Sequence, residues 1–100
     1  MCWTTVGRTD QAEQLVSELI SRKLAACVQI DAPIISHYQW QGQLHRDEEI
    51  RLTIKTSRDV ATTLMQTLRE LHPYDQPQIV MVQSTHVDAG YAAWVRESTV

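Results

Sequence analysis

"ACVQIDAPIISHYQWQGQLHRDEEIRLTIK", residues 26–55, turns the hydrophobic period of the chain from helical spacing to alternation. Ala26, Val28 and Ile30 alternate with Cys27, Gln29 and Asp31, and Ile50, Leu52 and Ile54 alternate with Glu49, Arg51, Thr53 and Lys55. Period two places successive side chains on opposite faces of a sheet, so each arm reads as a half-buried strand. Pro33 breaks the first arm, the apolar register resumes at Ile34, Tyr38 and Trp40, and Gly42 marks the turn. A two-residue Gln41-Gly42 loop would set each even, apolar position against an odd, polar one. The parity therefore predicts a three-residue loop, or a bulge that shifts the register by one. With even positions paired, His37 and His45 would share a face as diagonal neighbours. Arms of about 14 residues at ~3.3 Å each would span on the order of 45 Å, more than one small domain needs. Part of the hairpin is expected to pack on a second copy of the chain, which would also cover exposed strand edges.

The flanking segments complete the plan. Met1–Val6 has the Trp, Thr and Val content of a strand, and Gly7 ends it. Asp10 reads as an N-cap with Glu13 at the capping-box position, ahead of Leu15, Val16, Leu19 and Ile20 at helical spacing. Ser57 is expected to cap a second helix with the stripe Val60, Leu64, Met65, Leu68 and Leu71, stopped by Pro73. Gln78–Ser84 reads as a short, largely buried strand, and Asp88–Ser98 as a closing helix carrying Tyr91, Trp94 and Val95. The order βαββαβ plus a short C-terminal helix predicts an α+β, ferredoxin-like fold in one domain, residues 1–100. Helices would cover one sheet face, leaving Cys27, Gln29, Glu49, Arg51, Thr53 and Lys55 on the other.

Composition excludes several classes. Nine Lys+Arg against twelve Asp+Glu give a formal charge of -3, the wrong balance for tracking a phosphate backbone, so no nucleic-acid partner is expected. The apolar run Ile79–Val82, like the slightly longer Leu24–Val28, is far short of a membrane span, and no signal pattern is expected at the start. Two scattered cysteines suit reduced thiols, and the expected location is cytoplasmic. No nucleophile and base can be paired from the residues, so no enzyme is expected.

"ELHPYDQPQIV", residues 70–80, admits two readings. In one, His72 ends a helix, bonds a late carbonyl, and Pro73 is the stop. In the other, His72 ligates a metal, with Tyr74 beside it. Copper prefers imidazole and thiolate, and Cys27 or Cys2 would supply sulfur if folding or trimerisation brought one near. Lys55 is the one cation placed to favour a Cys27 thiolate, and its alternative partner is Glu49 or an acid from another subunit. Tyr38 with Trp40 and Tyr91 with Trp94 are expected as core or interface anchors. No obligatory cofactor is implied, and no H-E-x-x-H, C-x-x-C or calcium loop is present.

Five ordered stretches, "KLAACVQI" (23–30), "SHYQWQGQL" (36–44), "EEIRLTIKT" (48–56), "LHPYDQPQIV" (71–80) and "GYAAWV" (90–95), resemble the CutA divalent-cation tolerance family over nearly the whole chain. The resemblance implies a ferredoxin-like protomer in a tight homotrimer, similar in plan to the PII signalling proteins, with clefts between subunits. It implies a link to tolerance of copper and other divalent cations, and no assigned reaction. Carried over by position, it marks Cys27, Tyr38, Trp40, Gly42, Glu49, Lys55, Thr56, His72, Pro73, Tyr74, Pro77, Tyr91 and Trp94. Gln29 stands where Asn is common, Asp75 and Gln78 where Glu is common, and Ala92 where Leu is usual. Two functional expectations follow. One is weak metal binding through His72 and Cys27. The other is a PII-like trimeric sensor or scaffold that takes a small metabolite or a protein at a cleft lined by Tyr38, Trp40, Glu49, Lys55, Tyr74, Tyr91 and Trp94.

Overall fold

Alternation and helical spacing translate into eight main elements, and the computed structural model describes all 100 residues. In chain order they are β1 (Cys2–Val6), α1 (Thr9–Ser21), β2 (Cys27–Ile30), β3 (Ile34–Trp40), β4 (Gln43–Lys55), α2 (Ala61–Leu71), β5 (Val80–Met81) and α3 (Ala89–Ser98), with a 3₁₀ turn at Arg58–Val60 leading into α2. The antiparallel sheet runs β2-β4-β1-β5, and β3 continues alongside the first half of β4. This is the expected α+β, ferredoxin-like order, with its second strand divided into β2 and β3.

The even positions of β1 and β4 form the floor of the core. Cys2, Val6, Ile50, Leu52 and Ile54 pack beneath Leu15 and Leu19 of α1 and Leu64 and Leu68 of α2. Burying each such side chain contributes roughly 1.5–3 kcal/mol, so the helix layer and the sheet hold each other. The odd positions face away from the helices. The β3–β4 hairpin carries this open face beyond the core, and the molecule measures 45 × 26 × 23 Å.

The hairpin register corrects one expectation. Gln41 and Gly42 form a two-residue turn at φ 52° and 77°, the left-handed pair of a type I′ turn, and no three-residue loop exists. The other alternative, the bulge, sits elsewhere. Ile30 pairs with Leu52 and Ile34 with Glu49, so four steps on the first arm match three on β4. The extra residue lies in the Asp31–Pro33 break, where Asp31 N–H still donates to the Arg51 carbonyl at 2.9 Å. It turns Ile34, Tyr38 and Trp40 onto the face opposite to Val28 and Ile30. His37 now pairs with Arg46 and Tyr38 with His45, so the two histidines lie on opposite faces and are not neighbours.

Three smaller corrections have local causes. Asp10 lies inside the first turn of α1 and not at its cap, because Arg8 Nε holds its carboxylate at 2.9 Å; no side-chain cap or capping box forms. Ser57 caps nothing either, since its hydroxyl pairs with Thr99 Oγ1 at 2.8 Å. β5 is two residues long and Val80 and Val82 are exposed, because only β1 pairs with it. Met1 and Val82 exchange two further backbone bonds at 2.8 and 2.7 Å. Asp88 does cap α3, accepting the Tyr91 N–H at 3.0 Å.

Candidate functional site

The bulge decides which side chains meet. It puts Tyr38 and Trp40 on the open face with Asp47 and Glu49, the odd positions of β4. The loop after α2 brings Tyr74 and Asp75 to the same place, and together they line a groove of about 720 Å³ that also takes in His37. No Lys or Arg lines it, so the groove is acidic. Its carboxylates already have partners. The Tyr38 hydroxyl donates to Asp47 Oδ2, and the Tyr74 hydroxyl donates to Glu49 Oε2 at 2.9 Å. The Asp47 bond raises the Tyr38 pKa, while burial first and Glu49 second raise that of Tyr74. Both phenols therefore stay protonated and act as donors. The Tyr38 ring stacks on His45 with centroids 5.2 Å apart.

His72 stands behind this wall. Its backbone N–H closes α2 on the Leu68 carbonyl at 2.9 Å, as a helix stop before proline requires. Its buried ring reaches β1, not a helix carbonyl. Nε2 lies 2.9 Å from the Thr5 carbonyl and 3.0 Å from Thr4 Oγ1, and Nδ1 accepts the Tyr74 N–H at 3.1 Å. A carbonyl only accepts, so the network assigns the hydrogen to Nε2 and the lone pair to Nδ1. Burial lowers the His72 pKa against the opposing pull of the Thr5 bond and Glu49, which favours this neutral ring. Both nitrogens are thus engaged within one protomer. The ring also meets Tyr74 edge-on at 4.9 Å and so aims that phenol at Glu49.

Within one protomer the two metal candidates are not brought together. Cys27 is half-buried on β2 and pairs with Lys55 on the open face, whereas His72 is fastened to β1 on the helix side, with β4 between the strands. Cys2 is buried, and desolvation pushes its thiol up to about 11 despite the nearby amino terminus. No group of three or more His, Cys, Asp or Glu side chains gathers at a metal-binding distance.

The remaining expected cleft residues lie at the other end of the sheet. Lys55 and Tyr91 line a second groove of about 840 Å³, where the Lys55 ammonium sits 5.7 Å from the centre of the Tyr91 ring. Trp94 packs on Tyr91 with ring centroids 5.6 Å apart but lines neither groove. The expected Glu49–Lys55 pair does not form, because six residues of strand separate them by about 20 Å. Asp47 was legible from its parity with Glu49, yet its role depends on Tyr38, which only the bulge turns toward it.

Comparison with known proteins adds an independent finding. A family model described as CutA1 divalent ion tolerance protein matches residues 1–98. The divalent-cation tolerance protein CutA of Thermus thermophilus is 35% identical over 95 residues, covering 95% of this chain and 92% of that one. A CutA of Escherichia coli is 31% identical over 87 residues, covering 87% and 78%. Among solved structures, the T. thermophilus divalent cation tolerance protein superposes with a TM-score of 0.94 at 33% identity, covering 99% of this chain and 96% of that one. CutA1 of Oryza sativa gives 0.94 at 32%, covering 99% and 91%.

Proposed function

The chain belongs to the CutA1 divalent ion tolerance family, and from that premise we propose that it serves divalent-cation tolerance as a homotrimeric binding protein and not as an enzyme. In this reading the acidic groove of Tyr38, Trp40, Asp47, Glu49 and Tyr74 meets a neighbouring subunit, and the cleft between them takes a small metabolite or a protein, as in a PII-like sensor. The homotrimer is characteristic of the family. The observation that carries the choice against a His72–Cys27 copper site is the engagement of both His72 nitrogens. Supporting the assembly, Ile35, Tyr38, Trp40 and Leu44 leave the projecting hairpin with large exposed apolar side chains, Leu44 at 80%. Two unpaired thiols suit a reducing, cytoplasmic setting.

A second reading draws on the groove's charge: Asp47, Glu49 and Asp75 line it with no Lys or Arg. A divalent cation there would compete with the phenols for the carboxylates and would bind weakly. Light scattering and calorimetric titration with Cu(II) test both readings. The first expects a trimer, with any copper heat unchanged in a folded His72→Gln variant. A stable monomer would remove the cleft, and saturable heat lost in His72→Gln would restore the histidine site. Heat kept in His72→Gln but lost in Glu49→Gln would select the acidic groove.

A further inference from the structure

The second groove has a chemistry that the first lacks. Its lining comes from the segment leaving β4, from Lys55 into the 3₁₀ turn, from α3, and from Met81 and Val82. Three cationic side chains line it, Lys55, Arg58 and Arg96, against one carboxylate, Asp59. The ion pairs of the chain are Arg8–Asp10, Arg22–Glu18 and Arg51–Asp31, so none of the three cations has a carboxylate within pairing distance. A protein with a net charge of -3 thus concentrates two excess positive charges in one cavity. Like charges lining one cavity repel across the solvent, and an anion between them relieves that repulsion.

Local roles account for single residues and not for the set. Arg96 lies in the last turn of α3, where a cation suits the helix dipole. That dipole does not account for Arg58, at the start of the 3₁₀ turn, or for Lys55, at the end of β4. Lys55 is held toward the cavity by Tyr91, whose ring face attracts the ammonium and whose position the Asp88 cap fixes. The apolar part of the lining is Met81, Val82, Ala92 and Val95.

We propose that this groove binds a small polyvalent oxyanion, an organic phosphate or polycarboxylate whose body lies on the apolar lining and whose charged groups bridge Arg58, Arg96 and Lys55. The guanidinium forks match the paired oxygens of either group, and the ammonium supplies a point charge beside them. One chain builds the whole groove, so the inference goes beyond the trimer reading and does not rest on it. A monomer in light scattering would remove the inter-subunit cleft and leave this site open to test.

The test is calorimetric titration with inorganic pyrophosphate for the phosphate class and citrate for the carboxylate class, at two salt concentrations. Wild type, Arg58→Gln, Arg96→Gln and, as a control, Arg46→Gln on the exposed hairpin are compared. Losing a charge-assisted bond gives a weakening of roughly tenfold or more. The expected result is saturable binding of at least one probe, weakened to that degree in both groove variants, unchanged in Arg46→Gln, and reduced by salt. Whichever probe binds more tightly names the class. Absence of saturable binding by wild type, binding indifferent to both groove substitutions, or an equal loss in the Arg46 control would overturn the proposal.

Discussion

The two grooves lie on one sheet and treat charge in opposite ways. In the acidic groove Asp47 and Glu49 each accept a phenol hydrogen, and Tyr74 is braced from behind by His72. In the basic groove Lys55, Arg58 and Arg96 have no carboxylate partner, and Lys55 leans on a ring face. Polar groups with internal partners contribute to the fold, whereas charges left without partners are ready for a ligand. The acidic groove should therefore answer to mutation through stability, and the basic groove through binding.

The largest expected effect comes from the brace of the acidic groove. His72→Ala removes three contacts at once and leaves the Thr5 carbonyl and the Tyr74 N–H without the ring. Buried groups left unpaired cost roughly 1–3 kcal/mol each, so the variant should lose about 3 kcal/mol in urea unfolding. A loss below about 0.5 kcal/mol would break the contrast, since His72 would then be as dispensable as a surface charge. The same ring makes stability depend on pH. Burial lowers its pKa in the fold, and the unfolded chain titrates near the ordinary value of about 6.5. Below that pH the unfolded state takes up the proton first, so the contribution is present above about 6.5 and is lost as pH falls toward the folded pKa. Urea midpoints measured downward from about pH 7 should fall in wild type, and this component should vanish in His72→Gln.

A smaller effect belongs to the phenol bonds. Tyr74→Phe removes the donor to Glu49 and should cost about 1–2 kcal/mol, as for a hydrogen bond to a charged acceptor at a half-buried position. Tyr38→Phe should cost less, because that phenol and Asp47 are more exposed. A double-mutant cycle of Tyr74→Phe with Glu49→Gln isolates the pair; coupling near zero would mean that the bond does not persist in solution.

What the sequence disclosed of this contrast follows the range of each signal. Period two over residues 26–55 is local, and it correctly predicts the strands, the open face and the ferredoxin-like order. Pro73 likewise predicts the end of α2. The bulge is also local, but its location is not. Parity requires one extra residue somewhere in the hairpin, and a Gln-Gly turn and an Asp-Ala-Pro break can each supply it. The break takes it, since Gly42 makes a two-residue I′ turn readily and Pro33 has no N–H to lose from a ladder. The partner of His72 was illegible for another reason: Thr4 and Thr5 lie 68 and 67 residues away in the chain. No spacing rule joins them, and only the pairing of β1 beneath α2 does. The basic groove was illegible in the same way, because Arg96 comes to line one cavity with Lys55 and Arg58 only when α3 folds back.

The smallest expected effect is the one that separates the grooves most sharply. Arg58→Gln in the absence of ligand should change stability by no more than about 0.5 kcal/mol, since the side chain is exposed and makes no ion pair. Relief of repulsion from Lys55 and Arg96 works in its favour, so the change should be neutral or slightly stabilising. Arg96→Gln should lose a few tenths of a kcal/mol more, because it also gives up the helix dipole. Adding a bound polyanion then raises the thermal midpoint of wild type, as any ligand of the native state does, and raises that of the variants less. A substitution that is silent without ligand and visible with it is the mark of a binding group, while His72→Ala should be visible in both conditions. If Arg58→Gln proves costly without ligand, its charge has a structural partner in solution, and the two grooves no longer differ in kind.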